Sequence, residues 1–186
     1  MPDFVLIALA VVAIAIVALV VFVATRPSEF RVVRSATMAA HPAAVFVQVN
    51  DLHNWESWSP WAKLDPTMKT TYEGAPSGVG AIYKWNGNKT VGEGCTTILE
   101  SQPSERIRIK LQMFRPFAGI NDVAFAFVPE KEQTLVTWTM TGTNNFIVKA
   151  VRLVMNMDKL IGGQFEQGLA QLKAVVEGPQ SAARTA

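Results

Sequence analysis

Arg106-Ile-Arg-Ile-Lys-Leu-Gln-Met113 decides the fold class. Ile107, Ile109, Leu111 and Met113 alternate with Arg106, Arg108, Lys110 and Gln112. A period of two means a strand with one dry face and one wet face. Arg108 and Lys110 then belong to the solvated side. Working outward, Val123–Val128 and Leu135–Thr141 follow as strands, the latter with Val136, Trp138 and Met140 on one side. Upstream, Met68–Tyr72 and Ala81–Trp85 read as strands rich in β-branched and aromatic residues. Asn86-Gly87-Asn88 then gives a hairpin turn signal. Lys89–Ser101 resumes strand character with a bend at Gly92 or Gly94, and Phe30–Met38 opens the set.

Helical signals flank these strands. His41-Pro42 marks a helix start, because Pro suits the first helical position, and Ala43–Val49 continues it. Leu52–Leu64, with three tryptophans and Pro60, reads as a short broken helix and loop. Phe146–Val176 predicts one long helix. Ala150, Leu153, Met157, Leu160, Ile161, Phe165, Leu169, Leu172 and Val176 recur there at spacings of three and four. Gly162-Gly163 interrupts it at about 2 kcal/mol of helix propensity relative to alanine. That predicts a kink or close packing against another backbone. The order of strand, short helices, six strands and long helix is an α+β fold. A curved antiparallel sheet of about seven strands carries the helix across its concave side.

Phe4–Ala24 has no charge and consists almost wholly of Ala, Val, Ile, Leu and Phe. As a helix it measures about 31 Å, the thickness of a bilayer core. A cleaved signal peptide calls for a basic start, a shorter run and a small-x-small site, whereas here Asp3 is the early charge and Phe22 precedes Ala24 by two. A buried core helix would be apolar on one face rather than all round. We therefore read residues 1–25 as a single transmembrane anchor, 26–29 as a linker, 30–177 as the folded domain and 178–186 as a disordered tail. Arg26, Arg31 and Arg34 follow the span, and the positive-inside rule then puts the domain in the cytoplasm.

The anchor accounts for a charged fraction of only 17% in 186 residues, against roughly 25% in soluble domains. The net charge of +2, with no tract of like charges, argues against nucleic acid as a partner. A single cysteine, Cys95, precludes an internal disulfide, and with two histidines we expect neither a metal nor another cofactor.

Several motifs carry a resemblance. They are Asp51-x-x-x-Trp55-x-x-Trp58-Ser59-Pro60-Trp61, Tyr72-Glu73-Gly74, Val79-Gly80-x-x-Tyr83-x-Trp85-x-Gly87-Asn88 and Met157-Asp158-x-x-x-Gly162-x-x-Phe165-Glu166-x-Gly168-Leu169. Residues 30–177 resemble the polyketide cyclase/dehydrase group of the START-like (SRPBCC) superfamily, whose helix-grip fold is shared with the birch-pollen allergens. The resemblance implies a deep apolar cavity roofed by the long helix. It implies no catalytic set, since the superfamily spans carriers, sensors and cyclases.

The candidate ligand-binding residues follow from that cavity. Trp55, Trp58 and Trp61, three apart, share one side of a helical turn, either as a plug seating the short helices or as an aromatic wall. Tyr83, Trp85, Phe125 and Trp138 sit on alternating strands as core or as pocket lining. Met140, Met155 and Met157 are adaptable liners. The loop Phe114–Ile120 sets Phe114 and Arg115 at the expected mouth, with Arg115 available to a carboxylate or phosphate. For an enzyme, Glu93 between Gly92 and Gly94 is the first acid–base candidate, followed by Tyr83 and Asp51. Cys95 and Ser59 lack the neighbours that nucleophiles need. Two functions compete: a membrane-anchored domain binding a small hydrophobic molecule such as a lipid, fatty acid or polyketide-like compound, and a cyclase or dehydratase using the same cavity.

Overall fold

The computed structural model describes residues 3–153 and 156–178, with the backbone alone at Met157. Helix α1 runs over Asp3–Ala24. Strand β1 (Glu29–Met38) leads to helix α2 (Pro42–Asn50), with Pro42 at its start as the sequence predicts. A 3₁₀ turn at Leu52–Asn54, the one-turn helix α3 (Trp55–Trp58) and a second 3₁₀ turn at Pro60–Lys63 follow. Then come β2 (Lys69–Gly74), β3 (Ala81–Asn86), β4 (Glu93–Gln102), β5 (Arg106–Arg115), β6 (Gly119–Glu130) and β7 (Gln133–Thr143). Helices α4 (Phe146–Val151) and α5 (Met157–Glu177) end the described chain. The tail beyond Gly178 and Met155 lie outside the described residues.

All seven strands form one antiparallel sheet in the order β1-β7-β6-β5-β4-β3-β2. Hairpins join β2 through β7 in sequence, and β1 closes against β7 over ten residue pairs. The core lies between the sheet and α2, α3 and α5, and draws on Ile107, Ile109, Phe125, Val136, Trp58, Phe165 and Leu172. The seven-stranded antiparallel sheet gripping a C-terminal helix is the expected helix-grip architecture.

The long terminal helix requires a correction. The expected Phe146–Val176 rod is two helices, and they separate before Met157 rather than at Gly162-Gly163. The Asn156 side chain caps α5 by accepting a hydrogen bond from the Lys159 N–H at 2.9 Å. Asp158 follows in the first turn, where a carboxylate favours the positive end of the helix. The α-helix runs unbroken through both glycines.

Gly162 instead makes room for a side chain. A Cβ there would strike the Arg34 guanidinium. Arg34 donates to Glu166 Oε1 at 2.6 Å and to Asp158 Oδ2 at 3.2 Å, so it clamps α5 onto β1. The two carboxylates hold its pKa above the ordinary arginine value, hydrogen bonding to Asp158 leading. We expect non-additive behaviour at this pair. Gly162→Ala adds about 1 kcal/mol of helix propensity, and in an Arg34→Ala background that gain should appear in full. With Arg34 present the gain should shrink or reverse, because the methyl group displaces the guanidinium. Thermal unfolding of the four members of the cycle checks this.

The hairpin between β3 and β4 is also longer than the Asn86-Gly87-Asn88 signal predicts, spanning residues 87–92. Asn88 Oδ1 accepts from the backbone N–H groups of Thr90 and Val91, and Gly92 turns the chain at φ +73°. A Cβ at Gly92 would collide with the Arg115 carbonyl, so this turn requires glycine on both counts.

Candidate functional site

Residues paired directly across antiparallel strands share a face. One such row crosses the whole sheet on the side that carries α5. It runs from Tyr72 through Tyr83, Thr96, Leu111 and Asn121 to Gly142 and Phe30. Along this row Thr96 is buried, while Tyr72, Tyr83, Leu111, Asn121 and Phe30 are half-buried. Two residues towards the tail of β1, the same face is shut, with Ile98, Ile109, Val123 and Val32 all buried. Two residues the other way lie Trp85, Gly94, Met113 and Gly119. Trp85 lays its indole over Gly94, where a Cβ would meet the ring, and donates to the Val91 carbonyl at 3.4 Å. The helix-side face therefore has a packed half and a half-open apolar half.

The packed half corrects the expectation of a deep cavity around Trp138. Trp138 stacks on Phe165 at 4.1 Å between centroids with planes 7° apart. Phe125, Trp58 and Trp61 surround it at 4.7, 5.7 and 5.9 Å. Gly168 backs onto the same indole, since a Cβ there would sit 2.9 Å from Cζ3. Trp58, Phe125 and Trp138 thus form the plug, and Trp61 lies at its half-buried rim. Near the start of β1, the described residues enclose a cavity of about 40 Å³ lined by Phe30, Val32, Asn144, Asp158 and Ile161 among others. That is far below the roughly 300–1,000 Å³ of ligand pockets.

The predicted residues divide accordingly. Tyr83 on the row and Trp85 two residues beyond it lie 5.7 Å apart and nearly parallel, and Tyr72 continues the stack at 5.3 Å. His53 covers Tyr72 at 4.0 Å. Burial pushes the Tyr83 phenol up to about 12, with the Glu56 charge adding to it. Burial also raises the Tyr72 phenol, helped by its hydrogen bond to Glu56 Oε1 at 3.0 Å. Both phenols are therefore neutral at physiological pH and act as donors rather than bases. Phe114 and Arg115 end β5, beside a three-residue turn that leads into β6. Met140 is buried below the row, and the Met157 side chain lies outside the described set.

The acid–base candidates are occupied. Arg115 donates to Glu93 Oε2 at 2.8 Å and to Asn86 Oδ1 at 2.8 Å, so candidate base and candidate anion ligand neutralise each other. Asp51 accepts from the His53 backbone N–H at 3.0 Å and meets His53 Nδ1 at 2.8 Å, which is a cap for the 3₁₀ turn.

Sequence reasoning gives Asp65 no role of its own beside the family resemblance, in which Asp65-Pro66 follows Trp61. Asp65 is buried, and Oδ1 accepts from the backbone N–H and hydroxyl of Thr67 while Oδ2 accepts from the Asn88 N–H at 2.7 Å. It staples the loop before β2 to the β3–β4 hairpin. The Thr67 hydroxyl and then the Asn88 N–H hold the carboxyl below its ordinary pKa. A depressed folded pKa stabilises the fold above the unfolded value, about 3.9, and that stabilisation is lost as pH falls through the folded value. The stability of the native chain should therefore fall more steeply below about pH 4 than that of Asp65→Asn. Denaturant midpoints measured across that window check it.

Solved structures carry the same fold at low identity. Protein CV1439 from Chromobacterium violaceum matches with a TM-score of 0.57 at 18% identity, over 82% of this chain and 99% of its own. TTHA0849 from Thermus thermophilus matches with a TM-score of 0.59 at 18% identity, over 81% and 99%. CalU16 from Micromonospora echinospora matches with a TM-score of 0.53 at 14% identity, over 85% and 90%. No curated protein matches by sequence. The family profile described as "Polyketide cyclase / dehydrase and lipid transport" matches residues 29–177, which is every described strand and every helix after α1. That span runs from the first residue of β1 to the last of α5, and the chain accordingly belongs to this family, within the SRPBCC superfamily.

Proposed function

We propose that this protein is a membrane-anchored domain that binds a small hydrophobic molecule, such as a lipid, fatty acid or polyketide-like compound, along the half-open row of its sheet. The observation that carries this reading is the half-open part of that face: Phe30, Tyr83 and Leu111 on the row, and Trp85 and Met113 beyond it, stay half-buried, while Ile98, Ile109, Val123 and Val32 on the other side are buried. A guest laid there removes apolar surface from water at about 25 cal/mol per Å². The Tyr83 phenol supplies one neutral donor, and the stacked rings give area without charge. The family's described range, from cyclases to lipid transport, fits a shared apolar site. Binding is favoured over catalysis because Glu93 and Asp51 are each tied up by a neighbouring side chain.

Anchoring rests on α1, the one described helix that is long and apolar enough to cross a membrane. Its residues are exposed almost throughout, which suits lipid rather than a protein core. Arg26 at its end lies 4.0 Å over the Phe22 ring. The positive-inside rule puts the domain in the cytoplasm, and Arg26 is the vote that stands clear of the folded sheet.

Native mass spectrometry of the full chain, purified from its membrane and stripped of detergent in the gas phase, tests the binding. We expect a discrete adduct of one apolar molecule per chain. A bare chain under conditions that preserve the fold overturns the reading.

A further inference from the structure

The strand register sorts the loops into two ends. The start of β1, the end of β7, the β3–β4 and β5–β6 hairpins and α4 all lie at the end where α1 enters. Lys149 of α4 donates to the carbonyl of Ala24, the last residue of α1, at 3.2 Å. From Ala24 to Glu29 the chain reaches at most about 17 Å. Anything at this end is therefore held close to a bilayer spanned by α1. The β5–β6 hairpin extends past the Leu111–Asn121 pair by up to four residues, about 13 Å.

This end exposes apolar side chains that a free surface has no reason to gather. The hairpin shows Phe114, Phe117 at 46% exposure and Ile120 at 60%. Helix α4 shows Phe146 and Ile147, the latter at 60%, and Leu153 follows. Charge is arranged to match. Arg26, Arg31, Lys149 and Arg152 lie at this end and make no ion pair among the described residues. Glu29 is the acid beside them at the start of β1, whereas the opposite end carries Glu100, Glu105, Glu130 and Glu132 against Arg106 and Lys131. Apolar groups ringed by basic ones, on the pole nearest a lipid surface, are the composition of an interfacial contact.

We infer that the β5–β6 hairpin and α4 form a second membrane contact, in which Phe117 and Ile147 enter the headgroup region of an anionic bilayer and the surrounding bases meet lipid phosphates. This rests on the reading of α1 as a span. It fixes the domain upright on the membrane rather than swinging on its linker. The half-open part of the face, whose margin at this pole is Trp85 and Met113, then lies next to the lipid. Its guest passes between bilayer and sheet without crossing water.

The test uses the full chain in a Cys95→Ser background with single labelling sites Phe117→Cys, Ile147→Cys and, as a far-end control, Val79→Cys, which is 59% exposed. Each carries a nitroxide and is reconstituted into vesicles of phosphatidylcholine and phosphatidylglycerol. Labels at 117 and 147 should be reached by oxygen and not by a water-soluble nickel chelate, with the reverse at 79. Nickel access at 117 and 147 equal to that at 79 overturns the contact. Poor access to both quenchers there marks protein against protein and overturns it too. Carbonate extraction of the same vesicles separates the two readings. A chain released by carbonate defeats the tether, whereas a retained chain with wet labels defeats this contact alone.

Discussion

Trp138→Ala should destabilise the domain by about 3–5 kcal/mol, read as a lowered denaturant midpoint of the full chain by circular dichroism. The indole is 2% exposed and is the hub of the aromatic plug, touching Phe165, Phe125, Trp58 and Trp61. Its neighbours belong to β6, the segment around α3 and α5, so one deletion loosens three layers. The void cannot collapse, because the sheet ladder on either side of Trp138 and the α5 clamp at Arg34 fix the walls. A domain is stable by only about 5–15 kcal/mol, so this single change consumes a large part of the margin. Trp138→Phe should cost much less. It keeps a ring against Phe165 and removes an indole N–H that has no partner among the described residues. Equal losses for the two variants would mean that the plug is not packed as described.

Leu111→Trp should reduce the bound apolar adduct at least tenfold with the fold retained. Leu111 sits at the middle of the half-open row, between Thr96 and Asn121. Its side chain is half-buried on the face that carries α5, so a larger group there takes the place of a guest laid along the row. Leu99→Trp is the control, since Leu99 is 45% exposed and lies at the β4 bulge, away from the row. Native mass spectra of the two variants, prepared alike, decide the matter. An adduct retained by Leu111→Trp places the site elsewhere. An adduct lost from both variants assigns the effect to a general disturbance.

The sheet was legible because its signal is local. Ile107 and Ile109 are buried and Arg106 is exposed, as a period of two requires. The same alternation contained more than was taken from it. Val32, Arg34, Ala36 and Met38 are two apart on β1, which puts Arg34 on the inner face, yet soon after a long apolar run it reads as a topology signal. Only the fold supplies Asp158 and Glu166 to neutralise it and Gly162 to admit it. The break before α5 had a local mark as well, Asn156 followed by Asp158, but the glycine pair offered a louder one. The partner of Asp65 lies 23 positions away at Asn88, beyond what periodicity reports. The half-open row was less legible still. Which of Tyr83, Leu111 and Val123 ends up covered depends on how far α5 and α3 extend over the sheet, and no single strand contains that information.

The domain hangs from its border strand. β1 lies at the margin of the sheet, and its first residue follows the linker. Ser28 O accepts from Asn144 N–H at 2.7 Å just ahead of the first ladder pair, Glu29 with Thr143. A tug on α1 directed away from the body therefore pulls along β1 and shears its ten rungs together, instead of opening them one after another as in a zip. The Ser28–Asn144 clasp shares that load, and the Arg34 lock on α5 adds to it. The stitching between α1 and the body is consequently the part of this molecule placed to carry mechanical force.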